Sequence, residues 1–267
     1  MTHQGLITLL TDFGWGDGYI GAVKGAILSV NPWCRIVDIA HGVSAHDVES
    51  AAFILGQTYR FFPQGTIHVA VVDPGVGGAR RPVVVTTPDH LFVGPDNGVF
   101  HLVLEQEHHV RAYELVEDRY FLSAVSGTFH GRDVFGPAAA HLARGVPPDQ
   151  MGPGRDPEEL TRLSIARPIA TETVLAGEVV YLDSFGNLIT NIPRAMLKEF
   201  AGDAGVVVEI EGDRINEIRQ TYSDAEKGEL VALWGSAGFL EIALREGNLA
   251  SARGWTKRTA VTVRRKP

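Results

Sequence analysis

Residues 6–30 read LITLLTDFGWGDGYIGAVKGAILSV, and the class of the fold turns on this stretch. Leu6 to Leu10 is an apolar run of the length and type of a strand buried on both faces. A glycine-rich turn follows, and then Ala22, Val23, Ala26, Ile27 and Val30 fall on one side at helical spacing. Asn31-Pro32 stops that helix, because the residue before a proline is pushed out of the helical region. Ile36 to Ile39 reads as a second strand. Ser44, with Asp47 three residues on, approximates a capping box for a helix that buries Val48, Ala51, Ala52, Leu55 and Phe62. Ile67 to Val72 reads as a third strand. Strand and helix alternating in this order predict right-handed crossovers and a mostly parallel sheet, whose ligand crevice lies beyond the carboxyl ends of the strands. The rule points to Thr11-Asp12 and to Asp73-Pro74-Gly75.

The texture changes after Ala143-Arg144-Gly145, where Pro147, Pro148, Pro153, Pro157 and Pro168 are separated by glycine and acidic residues. The reading is an N-terminal α/β domain over 1–150, a linker over 151–172 and a C-terminal domain over 173–267. In the last part, Glu178 to Leu182, Val206 to Ile210, Leu230 to Leu233, Phe239 to Leu244 and Ala260 to Val263 are short β-rich runs between turn residues, the pattern of a small antiparallel barrel or sandwich. The whole chain of 267 residues, 45% hydrophobic and 21% charged, is an ordinary globular composition that excludes a disordered tail, a coiled coil and a disulfide-stapled miniprotein. With 24 Lys and Arg against 32 Asp and Glu, the net charge of −8 argues against a nucleic-acid partner. Cys34 is the single cysteine, so no intramolecular disulfide and no cysteine zinc set is expected, and a reducing compartment fits. Met1-Thr2-His3-Gln4 lacks the basic stretch of a secretory signal and no run reaches membrane-spanning length, so a soluble, cytoplasmic protein without a membrane partner is expected. The histidines show no HxH or HExxH spacing, and no metal site is expected.

Four segments carry candidate chemistry. Gly16, Gly18 and Gly21 spell G-x-G-x-x-G between a strand and a helix, with Asp38 where a ribose-binding acid would stand, which is the signature of a nicotinamide dinucleotide site. Asp12 and Asp17 oppose that reading, since carboxylates in the loop repel a pyrophosphate. Carboxylates there better suit sugar hydroxyls, an ammonium group or a metal ion, and the bland alternative is that Asp12 caps the turn and Asp17 the helix. In Asp73-Pro74-Gly75-Val76-Gly77-Gly78-Ala79-Arg80-Arg81, a glycine turn lets Arg80 fold back on Asp73 and keep it ionised, or else the segment is a structural turn with solvated arginines. Gly127 and Gly131 bracket Phe129 and His130, so the backbone can pass close to a ligand with His130 projecting into a crevice, although a lone histidine is more often structural. In the second half, Asp183-Ser184-Phe185-Gly186-Asn187 offers Phe185 to stack on a planar base and Asn187 to read its edge. Ser236 in Trp234-Gly235-Ser236, and Gly247-Asn248, lie in further turns that ordinary hairpin chemistry explains equally well.

In their order, TDFG at 11–14, VVDPGVG at 71–77 with Arg80 and Arg81, FVGPDNG at 92–98, TFHGRD at 128–133, FGN at 185–187 followed by TNI, and GN at 247–248 make the chain resemble a known family. This is the S-adenosyl-L-methionine (SAM) hydroxide adenosyltransferase family, the SAM hydrolases related to the fluorinase and chlorinase halogenating enzymes. The resemblance implies an N-terminal α/β domain with a smaller C-terminal antiparallel β-barrel. It also implies a homotrimer that takes SAM between the N-terminal domain of one subunit and the C-terminal domain of its neighbour. The family's catalytic Asp, Arg and His fall on Asp73, Arg80 and His130. The ribose-hydroxyl carboxylate falls on Asp12, the methionine-end positions on Asp17, Asp183 and Ser236, and the adenine pocket on Phe185 and Asn187. The implied reaction is hydrolysis of SAM to adenosine and L-methionine by in-line attack of an activated water on ribose C5′, with SAM as substrate and no separate cofactor. Which of Asp73 and His130 takes the proton stays open. Halogenating relatives carry an uncharged residue at the position of Asp73, so water rather than halide is expected. A non-catalytic SAM or adenosine-binding module, a SAM-dependent halogenase and a nicotinamide oxidoreductase are the competing readings.

Overall fold

A computed structural model describes residues 5–266; Met1-Thr2-His3-Gln4, on which the reading of the N-terminus rests, lies outside the described residues, as does Pro267. The chain divides into two compact units between Leu163 and Ser164.

The first unit runs β1 (Leu6–Thr11), α1 (Tyr19–Val30), β2 (Arg35–Ala40), α2 (Val48–Thr58), β3 (Ile67–Val71), β4 (Pro82–Thr86), β5 (Leu91–Pro95), α3 (His101–Gln106), β6 (Arg111–Glu114), α4 (Gly136–Ala143) and β7 (Gly154–Arg155). They form one sheet in the order β2-β1-β3-β5-β4-β6-β7. Strands β2, β1, β3 and β5 are parallel, while β4, β6 and β7 continue antiparallel. Side chains alternate across the sheet as the strand period requires. Ile7, Leu9, Val69 and Val71 pack on one face with Val23 and Ile27 of α1 and Ala138, Ala139 and Leu142 of α4. Leu10, Ala70 and Phe92 pack on the other with Leu55 of α2 and Val103 and Leu104 of α3. Helices therefore cover both faces, which explains why these strands read as continuous apolar runs. The aliphatic side chains that α1 buries, Ile20, Val23 and Ile27, each contribute about 1.5–3 kcal/mol.

Several details differ from the sequence reading. Helix α2 is capped by Asp47, whose carboxylate accepts from the Ser50 N–H at 3.1 Å, and Ser44 lies one turn earlier, its carbonyl accepting from the Asp47 N–H at 3.0 Å. The helix ends at Thr58 and tightens into a 3₁₀ turn over Tyr59–Phe61, leaving Phe62 half-buried beyond it. The strands β4 to β7 were not anticipated. Within the proline-rich stretch, Gly154–Arg155 joins the sheet and Leu160 is buried in the second face.

The second unit runs β8 (Ile169–Ala170), β9 (Val174–Leu182), β10 (Leu188–Pro193), α5 (Arg194–Ala201), β11 (Val206–Ile210), β12 (Asp213–Ile215), β13 (Ile218–Arg219), β14 (Leu230–Trp234), β15 (Phe239–Leu244), α6 (Leu249–Arg253) and β16 (Ala260–Arg265). Its order is β12-β11-β16-β9-β10-β15-β14-β13, with β8 added on β9. All pairs are antiparallel except the short β13–β14 contact. The long β9 pairs with β16 through its first half and with β10 through its second. β12 lies beside β14 and β11 beside β13, so the ends of the order meet and the sheet is nearly a closed barrel. Leu175, Val179, Leu188, Ile192, Val208, Ile242, Val261 and Val263 fill it.

Candidate active site

Strands β1 and β3 are neighbours with Thr11 opposite Val71, so Asp12 and Asp73 leave the same edge of the sheet side by side. After Asp73 the chain turns twice, Val76 N–H to the Asp73 carbonyl at 3.2 Å and Gly78 N–H to the Gly75 carbonyl at 3.0 Å, and this returns Arg80 onto Asp73. Arg80 Nε donates to Asp73 Oδ1 at 3.0 Å and to Oδ2 at 2.9 Å, and Nη2 donates to Oδ2 at 2.6 Å. The pair is withdrawn from water, with side chains 9% and 4% exposed for Arg80 and Asp73. The guanidinium also lies over the Phe135 ring, 5.3 Å from its centroid.

The same Nη2 reaches His130 Nδ1 at 2.7 Å. A guanidinium only donates, so Nδ1 accepts and the ring proton sits on Nε2. Burial, reinforced by the Arg80 charge, pushes the His130 pKa below its ordinary value, although Asp73 and Asp133 pull the other way. The imidazole is thus held neutral. Gly77 explains why two loops can meet here: its φ is +74°, and a Cβ on it would lie 2.2 Å from the Gly127 carbonyl oxygen.

Asp73 and His130 border a recess of about 280 Å³ that Asp12, Phe13, Tyr19 and Phe129 also line. Phe13 and Tyr19 meet Phe129 edge to face at 5.7 and 5.3 Å. Asp12 Oδ2 accepts from the His46 N–H at 2.9 Å, a bond across to the next loop rather than a cap of its own turn. Asp17 is exposed and does not line the recess; the cap position of α1 belongs to Gly18, with no side-chain cap. The G-x-G-x-x-G reading gains nothing within this unit. Gly16, Gly18 and Gly21 all face open space, and Asp38 is taken up by Lys24 at 2.7 Å and His41 at 3.0 Å. Burial alone would raise the Asp38 pKa, but those two partners outweigh it and hold the carboxyl below its ordinary value.

In the second unit, Asp183 is the hub of its own loop. Its Oδ1 accepts from the N–H groups of Phe185 at 2.9 Å and Asn187 at 2.8 Å, and its Oδ2 accepts from Asn187 Nδ2 at 2.9 Å. Phe185 stands out from this loop at 73% exposure, whereas Asn187 is buried. Gly186, at φ +83°, presses on Asn248, whose amide would be 2.1 Å from a Cβ there. That contact ties together the FGN and GN motifs. Ser236 is exposed on the turn between β14 and β15. Behind that turn lies Glu241, a buried carboxylate that accepts a short hydrogen bond from the Tyr222 hydroxyl. Burial pushes the pKa of both groups up.

Sequence reasoning missed Phe13, Tyr19, Tyr222 and Glu241. Glu241 left a signal, a lone carboxylate inside the apolar strand Phe239–Leu244; the aromatics left none, because an aromatic beside a turn more often belongs to a core. Among the described residues, no cluster of three or more His, Cys, Asp or Glu side chains is arranged to hold a metal ion.

Comparison with known proteins gives concordant results. Residues 7–152 match the SAM hydroxide adenosyltransferase N-terminal domain and residues 177–262 the corresponding C-terminal domain. A Thermus thermophilus protein named (R)-S-adenosyl-L-methionine hydrolase is 40% identical over 255 residues, covering 93% of this chain and 95% of its own length. More distantly, a fluorinase of Actinoplanes sp. is 27% identical over 288 residues, with 97% of each chain covered. Among solved structures, an uncharacterized conserved protein from Thermotoga maritima superimposes with a TM-score of 0.89 at 34% identity, covering 97% of this chain and 100% of that one.

Proposed function

The chain belongs to the SAM hydroxide adenosyltransferase family, and on that premise we propose that it hydrolyses SAM to adenosine and L-methionine. The observation that carries the proposal is the contact set Asp73–Arg80–His130, whose Asp73 and His130 line the recess. The sulfonium of SAM makes ribose C5′ electrophilic and departs as a neutral thioether, so the barrier lies mainly in placing a water in line and stripping its solvation. The water oxygen bonds to C5′ as the C5′–S bond breaks with its pair going to sulfur, and one water proton must find a base. The hydrogen bonds favour Asp73 for that task. The Nδ1 lone pair of His130 is committed to Arg80, whereas Asp73 Oδ1 accepts a single N–H and has a lone pair to spare. A carboxylate paired to a guanidinium is a weak base, yet the water becomes acidic as the C–O bond forms, so late acceptance suffices. Arg80 and His130 fix the carboxylate.

Asp12 suits the ribose hydroxyls as an acceptor on the same border. Asp17, Asp183 and Ser236 are assigned to the methionine end, and Phe185 and Asn187 to adenine. With all three of its contacts used inside its loop, Asp183 acts on the ammonium group through charge. Asn187 spends Nδ2 on Asp183 and offers Oδ1 to the adenine amino group. The assembly is a homotrimer in which the first unit of one subunit and the second unit of a neighbour share each substrate. A single buried cysteine, Cys34, suits a reducing, cytoplasmic setting.

Incubation with SAM in ¹⁸O-labelled water, with adenosine followed by chromatography and mass spectrometry, tests the reaction. Labelled 5′-oxygen is expected. SAM recovered intact favours a binding module, and a 5′-halonucleoside formed in the presence of halide favours a halogenase. Asp73 speaks against the last, because a fixed negative charge opposes an incoming anion.

A further inference from the structure

Asp133 closes the TFHGRD motif, is fully buried, and touches neither the recess nor the Asp73–Arg80 pair. It lies in a π-helical turn, Gly131–Phe135, that leads into α4. Such turns are rare and recur at functional sites. Its Oδ2 accepts both the Ser126 N–H at 2.8 Å and the Ser126 hydroxyl at 2.7 Å, while Oδ1 accepts from Arg132 Nε at 2.6 Å. The Ser126 hydroxyl in turn accepts from the Phe129 N–H at 3.1 Å. Phe129 is followed directly by His130, so this bond holds the backbone from which the imidazole projects. One residue after Ser126, the Gly127 carbonyl abuts Gly77 in the loop that carries Arg80 back to Asp73.

We propose that Asp133 is a positioning residue for the hydrolysis: by gripping Ser126 through both its N–H and its hydroxyl, it fixes the 126–130 loop so that His130 presents Nδ1 to Arg80. The effect runs from Asp133 to Ser126, from the Ser126 hydroxyl through the Phe129 N–H to the imidazole of the next residue, and from the imidazole through Arg80 to Asp73. A buried carboxylate that accepts four hydrogen bonds, two of them from Ser126, is a rigid anchor, since the Ser126 N–H and O–H would lose their partner if it were removed. Misplacement of the imidazole by about 1 Å is enough to cost a large factor in rate. Arg132 has a lesser share, because its guanidinium also lies over the Phe129 ring, 4.9 Å from its centroid, at a half-exposed edge of the turn.

This inference rests on the proposed hydrolysis, so the test has one readout without SAM. In the ligand-free protein, the ring ¹⁵N shifts of His130 are expected to report a single Nε2–H tautomer in the wild type and a mixture of tautomers in Asp133→Ala. With SAM, Asp133→Ala is expected to lower kcat by about 30-fold or more while KM moves less than about threefold. Asp133→Asn keeps an oxygen toward Ser126, so it is expected to restore kcat to within about fivefold of wild type and to restore the single tautomer. That rescue separates anchoring from a purely electrostatic role, in which Asn and Ala would behave alike. Should Asp133→Ala fail to fold, Ser126→Ala carries the test, since it removes the hydroxyl that links Asp133 to Phe129; a kcat loss of about fivefold or more and a mixed tautomer are expected. Wild-type kcat with an unchanged His130 tautomer, in a folded Asp133→Ala or in Ser126→Ala, overturns the proposal. Absence of turnover in the wild type would instead strike the hydrolase reading and leave the tautomer experiment to decide the anchoring role.

Discussion

Replacing Asp73 by asparagine keeps the size of the side chain and removes its charge, and the structure sets the scale of both consequences. Arg80 presents Nε and Nη2 to Asp73 in a pair whose side chains are 9% and 4% exposed. Removing one partner of a buried pair costs about 3–5 kcal/mol when the survivor is left alone. Here asparagine still offers one oxygen to Arg80, and His130 Nδ1 still receives Nη2, so about 2–3 kcal/mol is expected. For a unit of this size that is a fall of roughly 4–12 °C in melting temperature. The catalytic loss is separate and larger. The amide is not a base at neutral pH, and a positioned proton acceptor contributes a factor of about 10²–10⁴. Asp73→Asn should therefore bind SAM within a fewfold of wild type by calorimetry, while adenosine release falls by at least about a hundredfold below the melting transition. Adding Arg80→Gln to that variant should cost little more in kcat, because residues that act as a unit are not additive. A folded Asp73→Asn protein that turns over within about threefold of wild type would remove Asp73 as the proton acceptor.

Phe185→Ala removes an exposed ring, so stability should change by less than about 0.5 kcal/mol, whereas stacking worth about 1–3 kcal/mol should raise the KM for SAM about fivefold to a hundredfold; an unchanged KM would take Phe185 out of the adenine pocket. Gly77→Ala places a methyl 2.2 Å from the Gly127 oxygen at a φ of +74°, so the loops must part, and kcat should drop at least about tenfold with a lower melting temperature; wild-type values for both would mean the loops are not interlocked. His68, buried between Thr8 and His90, has its pKa pushed down to about 3. Below the ordinary histidine value the unfolded chain binds a proton that the native chain refuses, so the stabilisation is full above pH 6.5 and is lost as pH falls, by about 2–3 kcal/mol at pH 4.5. Urea midpoints measured against pH should show a shallower acid slope in His68→Gln, and parallel curves for the two proteins would show that His68 is not the titrating group.

The alternating first half of the chain was legible because β1 and β3 are buried on two faces and the helices between strands on one, so period and apolar content agree there. The antiparallel extension β4, β6 and β7 was not, since β6 (Arg111–Glu114) and the two-residue β7 carry too few apolar side chains to show a period, and the valines of β4 form a short run that period alone does not assign. At the α2 N-terminus the motif was found three residues early: Ser44 and Asp47 have the spacing of a box, but the carboxylate of Asp47 itself reaches Ser50. The Asp73–Arg80 contact could be argued from a glycine turn alone. His130 could not be placed with them by spacing, because 50 residues separate it from Arg80, and only the resemblance brought it in. The G-x-G-x-x-G match shows the opposite failure, a literal pattern whose glycines meet nothing in their own unit. Asp133 was quoted within a motif and given no role, since the use of a buried carboxylate depends on which N–H groups it faces.

The loop closed by Asp183 spends its hydrogen bonds on itself before any ligand arrives, and it keeps an aromatic ring standing in water. A planar guest that settles on Phe185 covers apolar area without having to order the chain beneath it, so little of the gain is given back as lost backbone freedom. Recognition on this side should then look like a key meeting a cut lock, with a heat-capacity change that reflects area alone and an affinity that scarcely responds to loop-stiffening substitutions.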